Sequence, residues 1–186
     1  MVAASELPIQ TVREGVDATQ MASTIFGNGV QVVSASYTGD IDSAGIYTDG
    51  TATSPGVTPG DTGVILSTGN AESFTNSSGS SNQSNRTSPN TSGQNNNSQF
   101  NAAAGARTYD ASYLDVDFIP TGSVMTMQFT FSSEEYPEFQ NSIYQDFVGV
   151  WVNGQYVEMD VGNGDTDPGN INTTNNINMY VDNGND

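Results

Sequence analysis

The densest group of chemically useful side chains in this sequence is an acidic run, SSEEYPEF at residues 132–139. Glu134, Glu135 and Glu138 lie in this run, and Asp146 follows it at the start of the next apolar stretch. Calcium takes about six to eight oxygen ligands from carboxylates, backbone carbonyls and water. Because carboxylates at strand ends can converge on one cation, these four residues predict a structural calcium site. The alternative is a solvated acidic loop, since the spacing matches no fixed metal-loop motif.

A second acidic segment, GNGDTDPG at residues 162–169, places Asp165 and Asp167 two residues apart. These two carboxylates are further candidate calcium ligands, because calcium-binding loops alternate their ligands in this way. The segment departs from the EF-hand motif, since Pro168 replaces its glycine and Thr174 its final glutamate. A turn between two strands is the alternative, because Gly, Asp, Asn and Pro are common turn residues.

The overall composition limits both the partners and the chemistry. The chain has 186 residues, of which 21 are acidic and three basic, a formal net charge of -18, and neither Cys nor His. Such a charge repels nucleic acid and anionic membrane, and no apolar run predicts membrane insertion. The missing Cys and His exclude thiolate and imidazole ligands and the Ser-His-Asp triad. We therefore expect a non-enzymatic protein, with calcium rather than zinc or copper as its metal.

One enzymatic alternative rests on paired carboxylates. Asp115 and Asp117 alternate with apolar residues, so both lie on the polar face of one predicted strand. A glycosidase needs an acid, which Glu134 or Glu135 could provide, and a nucleophile, which Asp115 or Asp117 could provide. Solvation explains the alternating carboxylates more simply. Tyrosines such as Tyr136 could stack on sugar rings, which keeps a surface glycan as a candidate partner.

The predicted secondary structure that carries these residues consists mainly of β-strands. One helix is predicted at residues 18–26, with Asp17 as its N-cap and Gly27 as its end. A two-residue period predicts a strand that starts at residue 30 and ends in the turn at residues 38–40. Further short strands are predicted at 46–47 and 63–67.

Two hairpins are predicted in the second half of the chain. Apolar residues alternate at residues 112–119 and 123–131, which predicts one pair of strands. Residues 147–152 and 156–161 flank Asn153-Gly154, the strongest short hairpin signal. The fold class is therefore mainly β: an antiparallel, jelly-roll-like β-sandwich with one or two short helices and a long Ser/Asn-rich loop.

That loop covers residues 71–100, which hold nine Ser and seven Asn and only two charged side chains. Such a segment buries too little apolar surface to order itself, so we predict a mobile or low-complexity loop. The chain length predicts a single β domain over residues 1–186. Residues 1–13 lack a basic stretch followed by an apolar one. Either a signal peptide has been removed from this sequence, or the protein is exported without an N-terminal signal peptide by a route that reads its other end; we expect the second, although composition alone also allows a cytoplasmic protein.

Four segments carry a resemblance to a known family: GVILSTGN at 63–70, YDASYLDVDFIP at 109–120, FSSEEYPEF at 131–139 and DFVGVWVNG at 146–154. In order and spacing they resemble the choice-of-anchor L domain of secreted and surface bacterial proteins. The resemblance implies an extracellular or cell-surface location, a large adhesin-like protein and, by analogy, type I secretion. It implies no settled activity. Similar sequences continue past the position of Asp186 with more strands, which implies a domain truncated at its C-terminal end.

Three functional expectations follow. The leading one is an extracellular adhesion or matrix domain stabilised by structural calcium. The second is a self-assembling extracellular filament subunit, because missing strands would expose a sheet edge that a neighbouring copy fills by strand addition. The third is a glycan-binding or glycan-hydrolysing domain.

Overall fold

The computed structural model of the chain describes residues 6–75, 90–133 and 146–158. Two compact units divide the chain. The large unit contains residues 1–79, 88–95 and 109–130, and the small unit contains residues 80–87, 96–108 and 131–186. The expectation of one domain over residues 1–186 stays a prediction.

The described part of the large unit consists mainly of antiparallel strands with short helices between them. One sheet has the strand order β1-β3-β4, and the other pairs β2 with β5. The strands are β1 (Ile9–Thr11), β2 (Val30–Thr38), β3 (Ala44–Tyr47), β4 (Gly63–Leu66) and β5 (Tyr113–Pro120). The helices are α1 (Ala18–Phe26) and α2 (Gly50–Thr53), with single 3-10 turns at Val12–Glu14, Gly27–Gly29 and Ala71–Phe74. A mainly β, antiparallel fold is therefore confirmed, and its stacking as a sandwich stays a prediction.

Helix α1 forms where the sequence predicts it, because both of its ends are specified locally. The Asp17 carboxylate accepts a hydrogen bond from the Gln20 backbone N–H (2.8 Å), and the Gln20 side chain accepts one from the Asp17 N–H (2.8 Å). Gly27 ends the helix at a φ of 53°, in the region that favours glycine. The buried face presents Met21 and Ala22, and Met21 packs in one cluster with Val16 and Ala44.

Strand pairing differs from the sequence prediction. The predicted hairpin of residues 112–119 with residues 123–131 is wrong for the described residues: β5 pairs with β2, in a register that runs from Val30 opposite Pro120 to Thr38 opposite Tyr113. The physical reason is that the alternation of apolar and polar residues identifies a strand and its two faces but does not specify which other strand pairs with it. Pairing with β2 places the half-buried residues of both strands on the same face.

A bulge in β2 makes that match possible. The register shifts between Val32 and Ser34, and the side chain of Val33 is 62% exposed. As a result Val32 and Ala35, three positions apart, both face β5 residues of the apolar face. The extra residue therefore keeps the apolar side chains of β2 on one face, although apolar and polar residues do not alternate regularly in its sequence.

The small unit contains α3 (Ser98–Ala104) and a hairpin of β6 (Trp151–Val152) with β7 (Gln155–Tyr156). The hairpin turns at Asn153 and Gly154, whose φ angles of 51° and 75° are both positive, as a type I′ turn requires. The predicted Asn-Gly turn is confirmed. Residues 159–161, the end of the predicted second strand, lie outside the described residues.

Both ends of the Ser/Asn-rich segment at residues 71–100 have regular structure. Ala71 is fully buried at the start of a 3-10 turn, and Asn70 caps this turn by accepting a hydrogen bond from the Glu72 N–H (2.9 Å). At the other end, the Asn97 side chain accepts hydrogen bonds from the Gln99 and Phe100 N–H groups in the first turn of α3. The prediction of a mobile loop over 71–100 therefore stays untested for residues 76–89, which lie outside the described residues.

Candidate functional site

The predicted calcium ligand that lies within the described structure is Asp146. Its half-buried carboxylate accepts a hydrogen bond from the Ser133 hydroxyl, with an Oγ to Oδ2 distance of 2.7 Å. Ser133 directly precedes the acidic residues 134–138, and Asp146 ends the same segment. The contact therefore brings together the two residues that flank positions 134–145, and those positions lie outside the described residues.

The other five predicted ligands lie outside the described residues: Glu134, Glu135, Glu138, Asp165 and Asp167. Within residues 6–75, 90–133 and 146–158, no three Asp, Glu, His or Cys side chains come close enough together to hold a metal ion. The calcium site thus stays a prediction. The described geometry adds one fact to this prediction: the Ser133 hydroxyl orients the Asp146 carboxylate.

A hydroxyl partner on Oδ2 has a definite consequence for Asp146. Hydrogen bonds from neighbouring side chains fix the rotamer of a metal-binding carboxylate, and this orientation matters for affinity. The side chains of Ser133 and Asp146 are both partly buried, so the bond is shielded from competition by bulk water. Carboxylate oxygens in such a setting suit a hard cation such as calcium.

Aromatic packing supports the chain that leads away from Asp146. Trp151 in β6 contacts three rings, at centroid distances of 5.4 Å to Phe100, 6.4 Å to Phe147 and 5.3 Å to Tyr156. Ring pairs at these distances are stabilising beyond the area that they bury. Phe147 directly follows Asp146, so this cluster anchors the chain next to Asp146 to the hairpin.

The structure also defines a carboxylate centre that the sequence analysis missed, in the turn between β2 and β3. Asp40 accepts hydrogen bonds from the Asp42 N–H (2.9 Å), the Ser92 N–H (2.8 Å) and the Ser92 hydroxyl (2.7 Å). The Asp42 N–H, then the two Ser92 donors, lower the pKa of Asp40 to about 2. Asp40 therefore ties the end of the Ser/Asn-rich segment to this turn.

Asp42, in the same turn, is neutralised by a basic side chain. The Arg13 guanidinium binds both of its carboxylate oxygens, with Nη2 2.6 Å from Oδ2 and Nε on Oδ1. The pair lowers the pKa of Asp42 and raises that of Arg13. Because both side chains are substantially exposed, the pair adds little stability. Both carboxylates of this turn are thus satisfied by protein donors, which indicates a structural role.

The Asp40 centre extends into the sheet through Tyr37. The Tyr37 hydroxyl donates to the Asp40 carbonyl (2.8 Å) and lies 3.0 Å from the Ser112 hydroxyl. Burial raises the pKa of Tyr37, so this hydroxyl keeps its proton at neutral pH. The only part of this network with a sequence signal is the local Asp40-to-Asp42 turn, since a side-chain oxygen bonding two residues ahead is typical of Asp.

Acid should weaken the large unit through Asp40. A carboxyl group whose pKa is lowered on folding stabilises the folded state above its unfolded pKa of about 3.9, and the contribution is lost as the pH falls towards about 2. We expect the melting temperature of the wild-type protein to fall more between about pH 5 and about pH 2 than the melting temperature of Asp40→Asn does. This interval spans both the folded and the unfolded pKa of Asp40. Ser92→Ala, which removes one donor, should give an intermediate fall. Identical acid profiles in the three proteins would contradict this role of Asp40.

Asp115 and Asp117 lie on the exposed face of β5, as the alternation predicts. Asp117 accepts a hydrogen bond from the Ser34 hydroxyl across the sheet, at 2.7 Å. The proposed partners of a glycosidase pair, Glu134 and Glu135, lie outside the described residues. Glycan hydrolysis therefore stays a hypothesis.

Comparison with known proteins identifies the family. The chain belongs to the choice-of-anchor L domain family, whose profile matches residues 10–185. No curated protein and no solved structure matches the chain. Membership of the family indicates a surface or secreted bacterial protein. Within the described part of the chain, no helix is long and apolar enough to cross a membrane.

Proposed function

We propose that this chain is a non-enzymatic extracellular adhesion or matrix domain that calcium stabilises by binding the acidic loop between Ser133 and Asp146. Glu134, Glu135, Glu138 and Asp146 supply the carboxylates of the site, and Asp165 and Asp167 are candidate ligands of a second ion. The observation that carries the proposal is the Ser133–Asp146 hydrogen bond, since it brings the two ends of an acidic segment together.

The net charge supports calcium as the partner of this domain. A chain with a net charge of -18 repels itself, and bound divalent cations relieve that repulsion. Loop closure supports it further, because a loop whose ends are already held loses less entropy when a cation draws its carboxylates together. With neither Cys nor His in the sequence, oxygen ligands remain, and these suit calcium.

Thermal unfolding in calcium and in chelator tests the proposal. Extracellular calcium modules have dissociation constants of about 10⁻⁴ to 10⁻³ M. At a calcium concentration about ten times the dissociation constant, binding to the folded state alone stabilises it by about 1.4 kcal/mol. For a chain of this size, that corresponds to a rise of roughly 3–6 °C in melting temperature. The double substitution Glu134→Gln with Glu135→Gln should abolish most of the rise.

A matched control separates site binding from general charge screening. Asp115→Asn with Asp117→Asn removes the same number of charges from the exposed face of β5 and should keep the full calcium-dependent rise. An equal loss of the rise in both double variants would mean that calcium acts by screening alone. A wild-type melting temperature that is the same in calcium and in chelator would refute a structural calcium site.

A further inference from the structure

Two exposed methionines, Met125 and Met127, lie two residues apart in the part of the chain that follows β5. Their exposed fractions are 45% and 46%, and their apolar neighbours Val124 and Phe129 are also exposed, at 81% and 40%. The methionine side chain is unbranched and flexible, and its thioether sulfur lies close to the end of the chain. Exposure of nearly half of each residue therefore gives small molecules in the solvent access to the sulfur.

Thioether sulfur is the sulfur that this protein offers to an oxidant. The sequence contains six Met and no Cys, so no thiol competes for the reaction. Hydrogen peroxide transfers one oxygen atom to a thioether: its O–O bond breaks, an S–O bond forms, the sulfur is oxidised, and the other oxygen leaves as water. The product, methionine sulfoxide, is polar where the thioether was apolar.

Met21 has the same chemistry in a closed environment. It is 0% exposed and packs with Val16 and Ala44 in the core of the large unit. Peroxide reaches such a side chain when the surrounding structure opens, and opening of a core costs much of the free energy of unfolding. Among the methionines that the structure describes, the fold therefore directs oxidation to the exposed pair.

Hydrogen bonds on both sides of the pair are independent of the two sulfur atoms. The Thr121 hydroxyl donates to the Gly29 carbonyl (2.6 Å), and the Thr130 hydroxyl donates to the Val57 carbonyl (2.8 Å). Neither contact uses a methionine side chain, and neither methionine belongs to the buried cluster around Met21. Oxidation of the pair thus changes the polarity of the surface without a cost in core packing.

We propose that Met125 and Met127 form an oxidant-reactive surface site, at which peroxide converts an exposed apolar segment, residues 124–129, into a polar one while the fold stays intact. The surface or secreted location that the family indicates places this site in oxidising surroundings. The reaction does not depend on the calcium site.

Peptide mapping of the native protein during exposure to dilute hydrogen peroxide tests the site residue by residue. Met125 and Met127 should gain oxygen at least about tenfold faster than Met21, because Met21 reacts through opening of the core. In concentrated urea, where the core is open, the three rates should become similar. The proposal would be overturned if Met21 were oxidised as fast as the pair in the native protein, or if the difference in rate persisted in urea.

Hydrophobic interaction chromatography measures the change in surface polarity. Peroxide should shorten the retention of the wild-type protein and leave that of Met125→Leu with Met127→Leu largely unchanged, because leucine is apolar and has no sulfur to oxidise. Met21→Leu is the matched control: it is a volume-conserving change in the core and should lose retention as the wild type does. A loss of retention in the double variant equal to that of the wild type would overturn the proposal.

Thermal unfolding shows whether the fold stays intact after oxidation. The melting temperature of the oxidised protein should lie within about 2 °C of that of the untreated protein, the shift expected of a mild surface change in a chain of this size. Oxidised Met125→Leu with Met127→Leu is the reference for Met1, Met159 and Met179, which lie outside the described residues. A larger fall in the wild type that the double variant does not share would contradict a reaction that spares the core.

Discussion

Met21→Ala should lower the free energy of unfolding of this protein by about 2–5 kcal/mol, the range for truncating a fully buried large side chain. Met21 is 0% exposed and packs in a cluster with Val16 and Ala44. Half-buried side chains from one 3-10 turn and four strands pack against this cluster: Val12, Tyr37, Ile46, Val64 and Leu114. Truncation leaves a cavity at the point where α1 meets strands of both sheets in the large unit. Urea unfolding at neutral pH measures the loss.

Ser23→Ala is the matched control for Met21→Ala, because Ser23 lies exposed on the same helix. Its effect should stay within about 0.5 kcal/mol, as is usual for surface substitutions. If Met21→Ala were as mild as Ser23→Ala, α1 would not close the core of the large unit, and the packing described for it would be wrong.

Gly45→Ala should destabilise the protein by about 1–3 kcal/mol through overpacking. Gly45 is buried in β3, opposite Thr11 of β1. A Cβ at this position would lie 2.5 Å from the Gln10 carbonyl oxygen and 3.1 Å from the Thr11 Cα. Both are backbone atoms, which cannot move aside without displacing β1 from its pairing. Chemical denaturation together with circular dichroism measures the effect.

Gly29→Ala provides the control for Gly45→Ala. A Cβ at Gly29 meets no atom within 4 Å, so the added methyl group should change stability by less than about 0.5 kcal/mol. A tolerated Gly45→Ala, with unfolding like that of Gly29→Ala, would contradict the close approach of β1 to β3.

The parts of the fold that the sequence predicted are those that depend on local signals. Asp17 and Gly27 bound α1 because capping needs a side chain within three residues and a backbone that tolerates positive φ. The hairpin at Asn153-Gly154 forms for a comparable reason, since the type I′ turn needs two positive φ angles. These requirements are met by neighbouring residues, so the sequence shows them directly.

Strand partners could not be predicted in the same way. Residues 112–119 and 123–131 are neighbours in the sequence, and apolar and polar residues alternate in both. β5 nevertheless pairs with β2, which is more than about 70 residues away, as the pair Thr38 and Tyr113 shows. The bulge at Val33 also obscures the two-residue period of β2, because it places Val32 and Ala35, which are three positions apart, on the same apolar face. Such pairing depends on the fit of whole faces, which the alternation of one strand does not specify.

The residues of the candidate site also differ in whether a local sequence signal predicts them. The calcium ligands at residues 134–146 stay a prediction from the carboxylate-rich composition, and of these residues the described structure contains Asp146, which accepts a hydrogen bond from Ser133. The Asp40 centre escaped prediction because its main partner, Ser92, lies 52 residues away and is one of many serines in a low-complexity segment. Nothing in the sequence distinguishes that serine from its neighbours.

Titration calorimetry of calcium into the metal-free protein measures binding at the proposed site itself. We expect saturable binding with a dissociation constant of about 10⁻⁴ to 10⁻³ M. Binding should be lost in Glu134→Gln with Glu135→Gln and retained in Asp115→Asn with Asp117→Asn. No saturable heat in the wild-type protein, or undiminished binding after the substitutions at residues 134 and 135, would contradict a calcium site in the acidic loop.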